Sequence, residues 1–155
     1  MSAGNNQKSN NSPREVLLKL LQGLSNQDWN TLVNLYAEDV VIQWPLAVPA
    51  PVIIRGRQAL QKALQNGWKL LELKASNIRV YETNDPEIVI AEYDYNGKAR
   101  ATGKVFRSAN ILVLTVRNGR IISARGYHNH VVAAAALGTL EEIIPQLDIN
   151  PATDK

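Results

Sequence analysis

A two-residue turn, Asn118-Gly119, joins two long segments in which apolar and polar residues alternate. Asn-Gly is favoured in type I′ turns because both central residues need positive φ, and such turns connect adjacent antiparallel strands. The alternation before the turn covers 104–117, and the alternation after it covers 120–128. This pattern predicts a β-hairpin and places an antiparallel sheet in the C-terminal half of the chain.

Three more strand-like segments lie upstream of the hairpin. Alternation predicts strands at 74–83 and 87–95, and a short strand at 39–44. Asn84-Asp85-Pro86 predicts a turn between the first two segments, and Asn96-Gly97 predicts another turn. Strands joined by such short turns indicate an antiparallel, strongly twisted sheet.

Three helices are predicted before this sheet. Ser12 is placed to cap the first helix, Pro13 takes its first position, and apolar residues recur with helical spacing over 16–24. The second helix is predicted to end near Ala37, and the third covers 57–71. A closing helix begins at Val131 and stops at Gly138. Helices followed by hairpin-linked strands predict an α+β fold, in which a curved antiparallel sheet packs on three N-terminal helices.

Length and composition limit the class of protein. The 155 residues suit one domain, predicted at 13–147, with a disordered polar tail at 1–12 and a second tail at 148–155. Without cysteine the chain has no disulfide and no thiolate nucleophile. The net charge of +3 is scattered, so no nucleic-acid partner is predicted. The chain shows no membrane-length apolar run and no N-terminal signal segment, so a cytoplasmic location without membrane binding is expected.

Both histidines of the chain, His128 and His130, stand at the end of the last predicted strand. Residues two apart on a strand share a face, here with Gly126 and Ala124, and this small, apolar face fits a lined pocket. We expect His128 to act as a general base or hydrogen-bond donor, with His130 as a ligand contact. Alternatively, one ring caps the sheet edge and the other is exposed. A metal would need a third ligand, and no metal or cofactor is predicted.

Glu92 and Asp94 also share a strand face. An inward Glu92 beside His128 would form a dyad able to activate water or remove a proton next to a carbonyl group, so Glu92 is a candidate catalytic residue. The alternative is that this face is exposed and that Tyr93 and Tyr95 pack on the other face. That alternative is slightly favoured for Asp94.

Three aromatic residues and one amide complete the candidate set. Trp44 and Trp68 are candidate walls of a pocket for a ring-containing ligand, and Tyr36 would supply a hydroxyl donor. Core packing is the alternative role for all three. Asn110 lies mid-strand among apolar residues and must find a hydrogen-bond partner, either a ligand or a second subunit.

The chain resembles the nuclear-transport-factor-2-like cone fold, and within it the SnoaL-like proteins. The segments 36–40, 54–60 and 117–121 fit the usual pattern of that family, and the resemblance covers about 13–147. The segments 77–86, 92–94 and 136–138 look like phenazine-biosynthesis A/B-type members. The resemblance implies a cystatin-like or ketosteroid-isomerase-like cone with an apolar pocket, and a homodimer formed through the sheet.

The resemblance also bears on the site. An acidic residue of the relatives' last strand falls on Gly126, so that acid is missing here. A pocket histidine of the phenazine-type members falls on Ser76, which becomes a candidate ligand contact. Tyr36 matches the oxyanion-hole tyrosine of ketosteroid isomerase.

These observations predict a protein that binds a small, largely apolar molecule in a conical pocket. Any catalysis is expected to be acid–base chemistry of the isomerase, cyclase or hydrolase type without a cofactor. The alternative is a non-catalytic ligand carrier or a dimerisation domain that lacks the catalytic acid of its relatives.

Overall fold

The computed structural model of the chain describes residues 11–149. The predicted tails at 1–12 and 148–155 therefore fall almost entirely outside the described residues. The helices are α1 (Pro13–Ser25), α2 (Trp29–Leu32), α3 (Arg57–Leu70), α4 (His130–Leu137) and α5 (Leu140–Ile143). The strands are β1 (Tyr36–Trp44), β2 (Val52–Arg55), β3 (Leu71–Glu82), β4 (Ile88–Ala99), β5 (Val105–Arg117) and β6 (Arg120–Tyr127).

The helix ends follow their local chemistry. The side chain of Ser12 accepts a hydrogen bond from the backbone N–H of Glu15, and Pro13 is the first residue of α1. Gly138 ends α4 in the left-handed conformation with φ of 77°, which costs glycine little because it has no Cβ. Three helices do precede β3, as predicted, but β1 and β2 lie between α2 and α3.

The six strands form one sheet in the order β2-β1-β6-β5-β4-β3. The predicted α+β fold with a curved sheet is confirmed. The hairpin prediction agrees with the structure, because Asn118 and Gly119 both have positive φ and β5 pairs antiparallel with β6. One pairing departs from the predicted antiparallel pattern, since β1 lies parallel to β6. Sequence-distant strands thus become neighbours, and residues of β1 and β6 reach the same face.

Two local predictions were wrong. Asn96-Gly97 is not a turn but part of β4, where Gly97 pairs with Phe106 of β5. A Cβ on Gly97 would lie 2.3 Å from the Phe106 ring, so the glycine makes room for an aromatic ring that packs on the strand. The second helix ends before Tyr36, which is instead the first residue of β1. Tyr36 therefore projects from the sheet rather than from a helix.

The core lies between the sheet and the helices. The apolar face of α1 is buried through Val16, Leu17, Leu20 and Leu21, which belong to one cluster with inward residues of β4 and β5. The inward and outward faces of β4 alternate strictly from Ala91 to Ala99. The helix-covered face of the sheet is called the inner face below, and the opposite face the outer face. Within 11–149, no helix has the length and apolar character needed to cross a bilayer.

Candidate functional site

A cavity of about 310 Å³ lies between the inner face of the sheet and helices α1, α3 and α4. This volume is at the lower end of the range for small-molecule sites. Among residues 11–149, no Asp, Glu, Lys or Arg side chain contributes to its lining. Six aromatic side chains contribute to its walls: Tyr36, Trp44, Trp68, Tyr93, Tyr95 and Phe106. Apart from the tyrosines and tryptophans, its polar lining residues are Ser108, His128, Asn129 and His130.

His128 lies just beyond β6, which ends at Tyr127, so the prediction that both histidines are strand residues was wrong. The ring nevertheless faces the cavity, where its Nδ1 is 3.2 Å from Oδ1 of Asn110. Asn110 is 3% exposed on β5. The side-chain amide of Asn110 therefore contacts His128, and both of its polar atoms have hydrogen-bond partners.

The hydrogen bonds around Asn110 determine which nitrogen of His128 carries the proton. Nδ2 of Asn110 donates to the carbonyl oxygen of Ser108 at 3.2 Å, and a carbonyl oxygen can only accept. Oδ1 of Asn110 therefore faces His128, and it also accepts from Oγ of Ser108 at 3.2 Å. Nδ1 of His128 must then be the donor, because Oδ1 has no hydrogen. The neutral ring is left with a free lone pair on Nε2.

Gly126 makes the space that the His128 ring occupies. A Cβ at this position would lie 2.4 Å from Nε2 of His128, well inside the contact distance of any two heavy atoms. The ring of His128 therefore fills the space that a side chain at position 126 would take. The resemblance draws attention to Gly126, but the sequence does not show that the ring two positions later occupies this space.

Burial determines the charge state of His128. Desolvation and, to a smaller extent, the neighbouring His130 lower its pKa from 6.5 to about 4. The ring is neutral at pH 7, so Nε2 is a hydrogen-bond acceptor and a proton acceptor.

His130 is the first residue of α4, and Asn129 caps that helix by accepting from the backbone N–H of Val132. The two histidine rings meet edge to face with centroids 5.6 Å apart. Nε2 of His130 is buried, with no hydrogen-bond partner within residues 11–149. Burial lowers the pKa of His130 as well.

Three tyrosines of the inner face interact with one another. Tyr93 and Tyr95 stack edge to face at 5.1 Å, and the Tyr95 ring is 6.0 Å from the His128 ring. Burial raises the pKa of Tyr95 to about 12 and raises the pKa of Tyr36 and of Tyr93 above the ordinary value. All three are therefore neutral hydroxyl groups at pH 7 and can donate hydrogen bonds.

Trp44 and Trp68 line the cavity from β1 and α3, as the sequence suggested. Trp44 is 6.3 Å from His130 between ring centroids, and it borders the histidine end of the cavity. Both residues are only partly buried. They serve as walls of the cavity and also pack against the core cluster.

Glu92 and Ser76 do not reach the cavity. Glu92 is exposed on the outer face of β4, because the inner positions of that strand are taken by Tyr93 and Tyr95. The predicted dyad with His128 is therefore wrong. Ser76 also lies outside the cavity lining, and its Oγ accepts a hydrogen bond from Asn96 at 2.9 Å. The predicted ligand contact at Ser76 is also wrong, because strand alternation places Ser76 on the outer face of the sheet.

Asp94 is on the outer face too, where it pairs with Asn77 and Arg107. The hydrogen bond from Asn77, followed by that from Arg107, lowers the pKa of Asp94. These residues border a shallow outer groove that also includes Ile78 and Ile111. The homodimer through the sheet stays a prediction.

Glu92 and Asp94 both lie on the outer face of the sheet. Neither carboxylate can therefore join the two histidines as a third metal ligand in the cavity. Within residues 11–149, no group of three or more His, Asp or Glu side chains is placed to hold a metal ion.

Sequence reasoning missed Tyr93, Tyr95, Phe106 and Ser108 as cavity residues. The signal was present for the two tyrosines, because they alternate with Glu92 and Asp94 and charged residues prefer the solvent side. Phe106 could not be assigned, since Asn96-Gly97 has the sequence of a turn and no local pattern gives the register of β4 with β5.

Comparison with known proteins agrees with this architecture. The SnoaL-like domain family matches residues 17–124. The match covers more than half of the chain, and the chain belongs to this family.

Two relatives of known sequence and one crystal structure are also similar to this chain. The Bacillus subtilis protein YesE is 30% identical over 126 residues, which cover 80% of this chain and 86% of YesE. A PhzA/B-like protein of Pseudomonas aeruginosa is 28% identical over 129 residues, covering 83% of this chain and 92% of that one. A Bacillus subtilis crystal structure, for which isomerase activity has been suggested, has a TM-score of 0.76 and 29% identity. That match covers 82% of this chain and 93% of the Bacillus chain.

Proposed function

We propose that this protein binds an uncharged, ring-containing molecule in the cavity and exchanges a proton with it through Nε2 of His128. The observation that carries the proposal is the fixed, neutral His128, whose free lone pair is held in an aromatic cavity without charged side chains. A buried carboxylate or ammonium group would find no counter-charge there and would lose its hydration. An uncharged ligand with a hydroxyl group or an acidic C–H bond suits both the free lone pair of His128 and the uncharged cavity.

The proton transfer needs no cofactor. Nε2 of His128 takes a proton from the carbon next to a carbonyl group, and the electrons of that C–H bond move to the carbonyl oxygen. A neutral tyrosine hydroxyl, from Tyr95 or Tyr36, donates a hydrogen bond to the oxygen as negative charge develops. Return of the proton from His128 to a carbon conjugated with the enolate re-forms the carbonyl group and completes an isomerisation. For a cyclisation, the same carbanion attacks a second carbonyl carbon of the ligand, whose π electrons move to its oxygen, and that oxygen takes the proton from His128. The isomerase activity suggested for the similar Bacillus structure supports this reaction class.

Binding selectivity is the first test. Isothermal titration at pH 7 with 2-naphthol, 2-naphthoate and 2-methoxynaphthalene compares one ring system with a hydroxyl donor, a charge or neither. We expect 2-naphthol to bind at least about tenfold more tightly than each of the others, because a hydrogen bond to a buried group and the burial of an unpaired charge each differ by about 1–3 kcal/mol. Equal affinity for the naphthol and the naphthoate would contradict the proposal.

Proton exchange is the second test. We expect the protein to speed deuterium incorporation beside the carbonyl group of 2-tetralone in D₂O, measured by proton NMR. His128→Gln should slow this exchange by about 10²–10⁴-fold, the usual contribution of a general base. Binding without exchange would indicate the ligand-carrier alternative instead.

A further inference from the structure

We propose that Gly67 of α3 is a specificity-determining residue, whose missing side chain forms a subsite for the apolar edge of the ligand. This inference rests on the proposed function and adds the size and chemistry of the apolar part of the ligand. Its starting point is a glycine whose presence the fold itself does not require.

Backbone geometry does not require glycine at position 67. The residue lies inside the 14-residue helix α3, and its carbonyl oxygen accepts a hydrogen bond from Leu71 at the helix end. Its φ is not in the left-handed region. Glycine inside a helix is less favourable than alanine, because it loses more backbone freedom on folding.

Packing does not require it either. Gly23, Gly97 and Gly126 each have a side chain within 3 Å of the position that a Cβ would take. The remaining described glycines, other than Gly67, have positive φ. A Cβ on Gly67 would meet no atom within 4 Å. Of the glycines within 11–149, Gly67 is thus the one for which neither conformation nor crowding gives a reason.

The open space next to Gly67 belongs to the cavity, because Gly67 is one of its lining residues. Leu64, Trp68 and Leu71 line the cavity from the same stretch of chain, and none of them offers a charge. The space is therefore suited to a second ring or an alkyl substituent of an uncharged ligand. A side chain at position 67 would take up this volume without replacing any of the polar groups that line the cavity.

Substitution of Gly67 by alanine and leucine tests the subsite, with 2-naphthol and the smaller phenol as probes in isothermal titration. We expect Gly67→Leu to weaken 2-naphthol binding at least tenfold and Gly67→Ala to weaken it severalfold, while phenol binding changes less than twofold in both. Gly67→Ala should also raise Tm by a few degrees, since the helix gains propensity without a clash.

Asn66→Ala is the matched control. Asn66 is exposed on the same helix and does not line the cavity, so this variant should raise Tm without changing the affinity for either probe. Unchanged 2-naphthol binding in Gly67→Leu would overturn the subsite and leave the proposed function standing. Equal weakening of phenol and 2-naphthol would overturn it too, since this indicates a distorted helix. If the original chain binds neither probe, both proposals fail.

Discussion

Gly126→Ala is expected to lower the free energy of unfolding by about 1–3 kcal/mol, the usual cost of overpacking a filled interior. The new methyl group would lie 2.4 Å from Nε2 of His128, so the ring must turn away. That movement breaks the contact of His128 with Asn110 and leaves a buried amide oxygen short of one partner. Urea denaturation measures the change, and binding of 2-naphthol should fall together with stability.

A double-mutant cycle separates this clash from a general effect of alanine in β6. In a His128→Ala background the methyl group has room, so Gly126→Ala should cost at least about 1 kcal/mol less than in the original chain. The same substitution at Gly67, where a Cβ meets no atom, should stabilise the protein instead. Additive effects of Gly126→Ala and His128→Ala would show that the glycine does not make room for the ring.

Acidification is the second change with a large expected effect. The folded protein holds the pKa of His128 at about 4, below its ordinary value of 6.5. Between these values the unfolded chain binds a proton that the folded protein does not, so stability falls as pH falls. We expect a loss of about 2 kcal/mol from pH 6.5 to pH 4, which allows for the partial exposure of the ring. Urea denaturation over this pH range measures it.

His128→Gln provides the control, because glutamine does not titrate and can still hydrogen-bond to Asn110. Its stability should depend less on pH between 6.5 and 4, and the remaining slope in this range should come mainly from His130, whose pKa is also lowered. Asp94 and Glu87 have pKa values lowered from 3.8 and 4.5, so their own loss of stability begins near the acid end of this range and continues below it. An unchanged slope in His128→Gln would contradict the assignment of a buried, neutral His128.

Local patterns in the sequence were sufficient to predict the fold class. The Asn118-Gly119 turn, the Ser12 cap and the Gly138 stop each depend on a few neighbouring residues, and each is present in the structure. The pairing of β1 with β6 was not predictable in this way. It joins strands that are about eighty residues apart, and no local signal encodes it.

The candidate site was predictable in part. The position of His128 near the end of the sheet and the burial of Asn110 followed from strand patterns, whereas Trp68 followed from the helical spacing of apolar residues in α3. The sequence alone left open which face of β4 points inward, because the charges of Glu92 and Asp94 favour the solvent side whereas a dyad with His128 needs Glu92 inside. The match between Gly126 and the His128 ring is a three-dimensional relation of volume, which a residue pattern alone does not contain.

The charge and tautomer of His128 are measured most directly by ¹⁵N NMR of the imidazole nitrogens, with His130→Gln leaving a single histidine to observe. The account predicts a protonated Nδ1 and an unprotonated Nε2 at pH 7, and a shift of the Nε2 signal when 2-naphthol saturates the cavity. A proton on Nε2 at pH 7, or an Nε2 signal that does not respond to bound 2-naphthol, would contradict it.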